Sequence, residues 1–199
     1  KIEQYFLSRD PSFVCRDSMD PITTTQACFD SLLIPLDHQS RKPSDTYYID
    51  EHRLLRTHTS CHQTELLTSG LKKFLCTGDV YRRDEIDASH YPAFHQMEGV
   101  KLIDRCTGMS DRGEWVDICI QELKDDLEGM VDHVFGKVEK RWVEAYFPFT
   151  EPSLELEILF EGEWLEVLGC GVMQQRILED SGLGDMHGWA FGLGLERLA

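Results

Sequence analysis

The sequence predicts an α+β domain, an antiparallel β-sheet with helices set against it. Three observations carry that prediction. Residues 78–99 read as two strands joined by a polar loop, residues 141–168 as further hairpin-linked strands, and residues 114–135 as one long helix between them. No internal repeat or low-complexity segment breaks the pattern, and 199 residues with 41% hydrophobic side chains suffice for one domain, residues 1–199, with a sizeable core.

Residues 1–25 are mixed in character, a helix end followed by a loop at Asp20-Pro21. The apolar run 29–34 stops at Pro35, as a strand ended by proline would. Residues 36–45 have loop composition and 46–49 suit a short strand. His58-Thr59-Ser60 opens a helix with Ser60 or Thr59 as N-cap, and Leu66, Leu67, Leu71, Phe74 and Leu75 follow at helical spacing. A first central strand, residues 75–83, leads out to Arg82 and Arg83, and the loop after it carries Asp84, Asp87, Ser89 and His90. The second sets Phe94, Gln96 and Glu98 on one face and His95, Met97 and Val100 on the other, and closes over 100–103. A strand face bearing Gln, Glu and Phe together is poorly suited to a dry core; it suits a polar ligand with an aromatic part.

In residues 114–135, Val116, Ile120, Leu123, Leu127, Met130 and Val134 recur at gaps of four and three, with Asp117, Glu122, Lys124, Asp125, Glu128 and Asp132 opposite and Gly136 placed to stop the helix. This reads as a packing helix. Residues 141–146, 154–160 and 164–168 are strands, the last two joined by a turn at Glu161-Gly162-Glu163. Trp189-Ala190-Phe191 is a strand running into Gly192-Leu193-Gly194 and a helix that starts near Leu195.

Charge and cysteine content exclude several classes. The net charge of −16 leaves no basic stripe with which to grip a polyanion. The last 49 residues carry ten acidic side chains against only Arg176 and Arg197, so those arginines stand out. Seven scattered cysteines without a Cys-x-x-Cys pair read as reduced thiols of an intracellular compartment. No apolar run is long enough to span a membrane, and no signal peptide is expected. The chain starts and stops within patterned segments and is expected to be a piece of a longer one.

Each candidate site residue has an ordinary reading beside the functional one. Arg82 and Arg83 suit a solvated pair, or a fork that clamps phosphate. Phe94 suits core packing, or a platform for a purine. Inward-facing Gln96 and Glu98 are harder to explain structurally, and a ligand ammonium would satisfy both. His58 and Ser60 suit a helix cap; Phe147-Pro148-Phe149 suits the end of a strand. Gly192-Leu193-Gly194 has no lysine after it and is no Walker loop. His58 and His62 have helical metal spacing but no carboxylate between them, which disfavours zinc.

The order of these motifs resembles that of the class II aminoacyl-tRNA synthetases. Residues 82–98 resemble the second signature of that class, an arginine-bearing strand–loop–strand, and Gly192-Leu193-Gly194-Leu195-Glu196-Arg197 resembles the third. Residues 29–35 are similar to the strand and proline that close the first. Residues 56–60, 90–99, 146–153 and 188–192 resemble the phenylalanyl-tRNA synthetases, and 162–173 their single-chain mitochondrial form. The usual His-Pro pair reads His38-Gln39 here.

The resemblance implies a catalytic domain that activates L-phenylalanine with ATP and Mg²⁺ and passes it to tRNA(Phe) in the mitochondrial matrix. It implies a monomer if the chain is of the mitochondrial type, with a C-terminal domain beyond residue 199 gripping most of the tRNA. It assigns catalysis to Arg82, His90 and Arg197. Arg82 would hold the α-phosphate and the substrate carboxylate, and His90 and Arg197 the outer phosphates or ribose. Adenine would lie between Phe94 and Arg197, with Glu166 a ribose contact or magnesium ligand. The amino-acid ammonium would sit among Gln96, Glu98, Ser60 and His58, bordered by Gln63 and Tyr91. Phe147 and Phe149 would meet the ring, and Ala190 and Phe191 would close the pocket's end. Another adenylate-forming ligase on this scaffold, and a binding module that has lost catalysis, are the rival readings.

Overall fold

A computed structural model of the chain describes residues 1–83, 91–104 and 112–198. Its centre is a seven-stranded sheet in the order β1-β4-β5-β9-β8-β7-β6, made of β1 (Val14–Arg16), β4 (Lys73–Tyr81), β5 (Ala93–Ile103), β6 (Lys140–Phe147), β7 (Thr150–Phe160), β8 (Glu163–Met173) and β9 (His187–Gly194). All neighbours are antiparallel except β1 and β4. A two-stranded ribbon, β2 (Ile22–Thr24) with β3 (Arg53–Leu55), stands apart from the sheet. The α+β expectation therefore holds, with one parallel pair at the edge.

One face of the sheet is covered by α1 (Ile2–Arg9) and α4 (Arg112–Phe135) over the largest core, which takes Leu75, Met97, Leu156, Val167, Trp189 and Phe191 from the strands. The other face carries two smaller cores, with α2 (Thr25–Cys28), α3 (Gln63–Thr68) and α5 (Gln175–Asp180) over or beside them. The long helix lies where its periodicity puts it, and Gly136 ends it at φ +80°, a left-handed conformation that costs glycine little. Its buried stripe is turned from the expected one. Trp115, Cys119, Leu123, Leu127 and Val131, each four residues from the next, are fully buried, whereas Val116, Ile120 and Val134 are only partly so. Asp126 is buried on the same helix because Arg9 and Lys101 neutralise it at 2.9 and 3.1 Å.

Glu161 (φ +51°) and Gly162 (φ +88°) join β7 to β8 as a two-residue turn of the twist-matched kind, at the position read from the sequence.

Several local expectations are corrected. Residues 29–34 are not a strand: Phe29 follows α2, Asp30–Leu32 form a 3-10 turn, and Leu33 is left-handed. The apolar side chains of that run fill a core through turns, so the run has no ladder to join. Residues 46–49 contribute one isolated bridge, Tyr48 to Leu54. The helix begins with a 3-10 turn, Thr59–His62, after His58, with no side-chain cap from Ser60 or Thr59. It stops at Thr68 before the left-handed Gly70, so Phe74 and Leu75 belong to β4 and enter opposite cores. Val100 shares the Glu98 face of β5, not the Met97 face, since it packs with Phe74, Cys76 and Ala190. The last turn, Leu195–Leu198, is 3-10.

The six described cysteines are free thiols; Cys106 and His90 lie outside the described residues. Among the described residues, no helix is long and apolar enough to cross a membrane.

Candidate active site

Register places the site. In an antiparallel sheet, residues opposite one another point to the same face. Glu98 of β5 stands opposite Gly192 of β9, which stands opposite Gly169 of β8. Beside that row Gln96 faces Gly194, and Val100 faces Ala190, which faces Gly171. A side chain added at Gly192 or Gly194 would meet nothing within 4 Å, so these glycines leave a bare strip of sheet next to two polar side chains. The strip is the floor of a cleft of about 960 Å³ on the face away from α1 and α4.

At its base the Glu98 carboxyl is 1% exposed, and among the described residues neither oxygen has a hydrogen-bond partner. Burial pushes its pKa up to about 7, against the pull of Ser60 and Gln63 beside it. A carboxylate in that condition is costly unless a cation reaches it. His58 lines the same wall with its Nε2 3.8 Å from Cys28 Sγ; burial, reinforced by the Arg82 charge, lowers its pKa to about 3, so it is a neutral imidazole. Gln63 is buried, and Tyr91 stands 67% exposed at the rim.

One end of the cleft is aromatic. Phe147 and Phe149 lie nearly parallel, with ring centroids 5.9 Å apart. Ser153 holds the corner between them, accepting from Phe147 N at 3.2 Å and donating to Thr150 O at 2.9 Å. The Phe147 ring rests on Gly169, where a Cβ would come within 2.6 Å of Cζ. Ala190, 4% exposed, is the floor at this end.

The opposite end is cationic. Arg82 Nε donates to Thr57 O at 3.1 Å, and its guanidinium lies over the Phe94 ring at 5.2 Å. Arg197 reaches across from the turn after β9 and pairs with Glu166 at 3.2 Å. The burial of Glu155 and the neighbouring charges of Glu166 and Glu157 raise the Glu155 pKa, so carboxylates crowd this edge.

A family model of class II tRNA synthetase core domains (F) matches residues 1–199, the whole of this chain. The chain belongs to that family. Among curated proteins it is 55% identical over 183 residues to the phenylalanine–tRNA ligase, chloroplastic/mitochondrial, of Arabidopsis thaliana, covering 92% of this chain and 43% of the relative. It is 50% identical over 222 residues to the mitochondrial phenylalanine–tRNA ligase of Mus musculus, covering 99% and 49%. The chain thus spans about half the length of these relatives. A pyrrolysyl-tRNA synthetase of Desulfitobacterium hafniense superposes with a TM-score of 0.68 at 18% identity, covering 99% of this chain and 64% of that one, which shows the shared fold.

In this class II core, the described residues to which the resemblance gave roles all border one cleft, whereas Arg83, His62 and Arg176 do not line it. Phe191 is the exception in what its side chain does. Adjacent strand residues point to opposite faces, so while Ala190 faces the cleft, the Phe191 ring stacks on Phe6 at 5.4 Å in the core behind the sheet and cannot close the pocket's end. Four features escaped the sequence reading. Gly169 seats Phe147, and Thr150 with Ser153 shapes the aromatic corner. Buried Arg56 donates to Asp79 O, Met19 O and His62 Nε2, and lies on Gly78, where a Cβ would strike its Nη2. Glu196, next to Arg197, binds His95. The glycines carried a signal: Gly169 and Gly171, like Gly192 and Gly194, are spaced by two, which on a strand strips one face of side chains.

Proposed function

We propose that this chain is the catalytic core of a phenylalanine–tRNA ligase. It activates L-phenylalanine with ATP to the adenylate, releases pyrophosphate, and passes the acyl group to tRNA(Phe) in the mitochondrial matrix; the mouse and yeast relatives are mitochondrial phenylalanine–tRNA ligases. The observation that carries this reading is the buried Glu98 carboxyl, charged at a cost beside Ser60, Gln63 and Gln96 and with no cationic partner among the described residues, with paired phenylalanine rings at one side and two arginines at the other. An α-amino acid with an aromatic side chain has the matching parts: an ammonium, a ring and a carboxylate.

The substrate carboxylate attacks the α-phosphorus in line, and the bond to the pyrophosphate oxygen breaks. Such chemistry is mostly positioning and charge stabilisation. Arg82 holds the α-phosphate and the attacking carboxylate. Its guanidinium covers one face of Phe94, so adenine stacks on the other, with Arg197 above it. Gln96 and Glu98 take the ammonium, and Phe147 and Phe149 the ring, each ring pair contributing ~1 kcal/mol beyond burial. His90 is assigned to the outer phosphates by resemblance alone. Glu166 and nearby Glu155 fit Mg²⁺, which needs only one or two carboxylates when phosphates supply the rest; bound there, the ion would neutralise charge on the leaving pyrophosphate. With a net charge of −16, these 199 residues repel tRNA at long range, so basic surface outside them would supply most of that affinity.

Pyrophosphate exchange measured with each of the twenty amino acids tests the reading: phenylalanine alone should drive it. Exchange with another acid would indicate a different adenylate-forming ligase, and none with any acid would indicate a binding module.

Two substitutions probe the ring pocket. Ala190→Gly should admit para-chlorophenylalanine while leaving phenylalanine little changed, because a hydrophobic site rejects para substituents only by its floor. Ala190→Leu should raise the phenylalanine KM by roughly 10–100-fold, the cost of overfilling a packed site. Competition between the two acids in the exchange assay decides whether Ala190 lines the ring. Gly169→Ala should displace Phe147 and raise the phenylalanine KM by about tenfold with the ATP KM unmoved. Equal changes in both constants would mean that Gly169 supports the sheet as a whole.

A further inference from the structure

Glu196, at the edge of the cleft, lies against the start of β5 beside His95, whose side chain is on the strand face opposite the cleft. Its two oxygens accept the His95 backbone N–H at 2.9 and 3.1 Å, and Oε1 stands 2.7 Å from His95 Nδ1. The other ring nitrogen, Nε2, is 3.2 Å from Asp79 Oδ1 on β4, the residue paired with His95 in the ladder. Glu196 is joined in sequence to Arg197, which leans the other way to Glu166 on β8. The 3-10 turn Leu195–Leu198 is therefore tied on one side to β4 and β5 through His95, and on the other to β8 through Arg197.

We propose that His95 is a positioning residue for Arg197: its ring, gripped between Asp79 and Glu196, holds the turn that sets the arginine at the ATP end of the cleft. The inference rests on the assignment of Arg197 to ATP made above. The chemistry follows from the two ring nitrogens. Only the imidazolium can donate to both carboxylates at once; a neutral ring donates from one nitrogen and turns a lone pair toward the other carboxylate. The groups facing the ring are Asp79, whose second oxygen accepts from Tyr81 Oη at 3.5 Å, and Glu196. The hydrogen bond to Glu196, with the charges of Glu196 and Asp79, raises the His95 pKa above its ordinary value, against slight burial. Burial acts to raise the Glu196 pKa, but the hydrogen bonds and charge of His95 leave it lowered. The clamp is thus closed below the elevated histidine pKa and opens as pH rises through it.

The test uses the full-length protein, with the ATP KM measured in pyrophosphate exchange at saturating phenylalanine across the range in which histidine titrates. Saturation keeps the Glu98 titration out of the measurement. In the wild type the ATP KM should rise about fivefold with pH, the low end of coupling between linked groups. His95→Gln should abolish that rise and hold the KM near the wild-type high-pH value. Asp79→Asn, which removes one of the two carboxylates that retain the proton, should move the rise to lower pH. The titration of ATP itself is common to all three proteins and cancels in the comparison. Phenylalanine-driven exchange by the wild type secures the reading on which the inference rests. A His95→Gln profile that keeps the wild-type rise, an unmoved midpoint in Asp79→Asn, or a flat wild-type profile then overturns the clamp alone.

Discussion

Replacing Arg82 with alanine should slow phenylalanine-dependent pyrophosphate exchange by about 10²–10³-fold, the usual cost of losing one preorganised contact to developing charge. The structure says why the loss would be chemical. Arg82 donates to a backbone carbonyl at 3.1 Å and covers the face of Phe94, contacts that contribute about 1 kcal/mol each. Melting should shift by a few degrees while the rate falls by orders of magnitude. Arg82→Lys keeps the charge but loses the fork that matches two phosphate oxygens, so it should recover only part of the rate. Thermal melts and exchange kinetics on the same preparations separate the outcomes. An Arg82→Ala protein that loses stability while its folded fraction exchanges at the wild-type rate would make Arg82 structural.

The second large effect falls on Glu98 and runs in opposite directions for function and stability. Glu98→Gln should raise the phenylalanine KM by about 10²-fold or more, because a charge-assisted contact to the ammonium is lost from a dry site. The same change should stabilise the free protein at alkaline pH. The carboxyl titrates near 7 in the fold against 4.5 ordinarily, so the folded state holds its proton where the unfolded state has released it. Stability therefore declines as pH rises from about 4.5 to about 7, and above that the whole penalty applies. That penalty is about 3 kcal/mol at 1.36 kcal/mol per pH unit. The amide has its own burial cost, which leaves a net gain on the order of 1–3 kcal/mol above neutrality and little change in acid. For the wild type the linkage runs the other way with substrate: the ammonium needs the ionised carboxylate, so the phenylalanine KM should fall as pH rises through about 7. Denaturation curves at acid and alkaline pH, with and without phenylalanine, check both halves. An equal stability change at both pH values would mean that Glu98 is not a strained carboxyl.

What the sequence by itself determined is what depends on local period and on side-chain chemistry. The long helix ends where Gly136 can adopt a left-handed conformation, the β7–β8 turn falls on Glu161-Gly162, and Phe94, Gln96 and Glu98 share one face of a strand. These signals lie within a few residues of one another, so no distant partner is needed to interpret them. Tertiary structure decided the rest. Residues 29–34 have the composition of a strand, but among the described residues no strand pairs with them, and their side chains fill a core through turns instead. Ala190 and Phe191 are adjacent in sequence and similar in hydrophobicity; the pleat sends one to the cleft and the other to Phe6 on the far side. Glu196 and His95 are separated by 101 residues and meet only because β9 lies beside β5 in the sheet. Gly169 lies in the same row as Glu98 only through a register that spans three strands. A hydrogen-bonded ladder fixes which residues stand opposite one another, and that pairing, absent from the order of residues along the chain, is what turns scattered polar and glycine positions into one site.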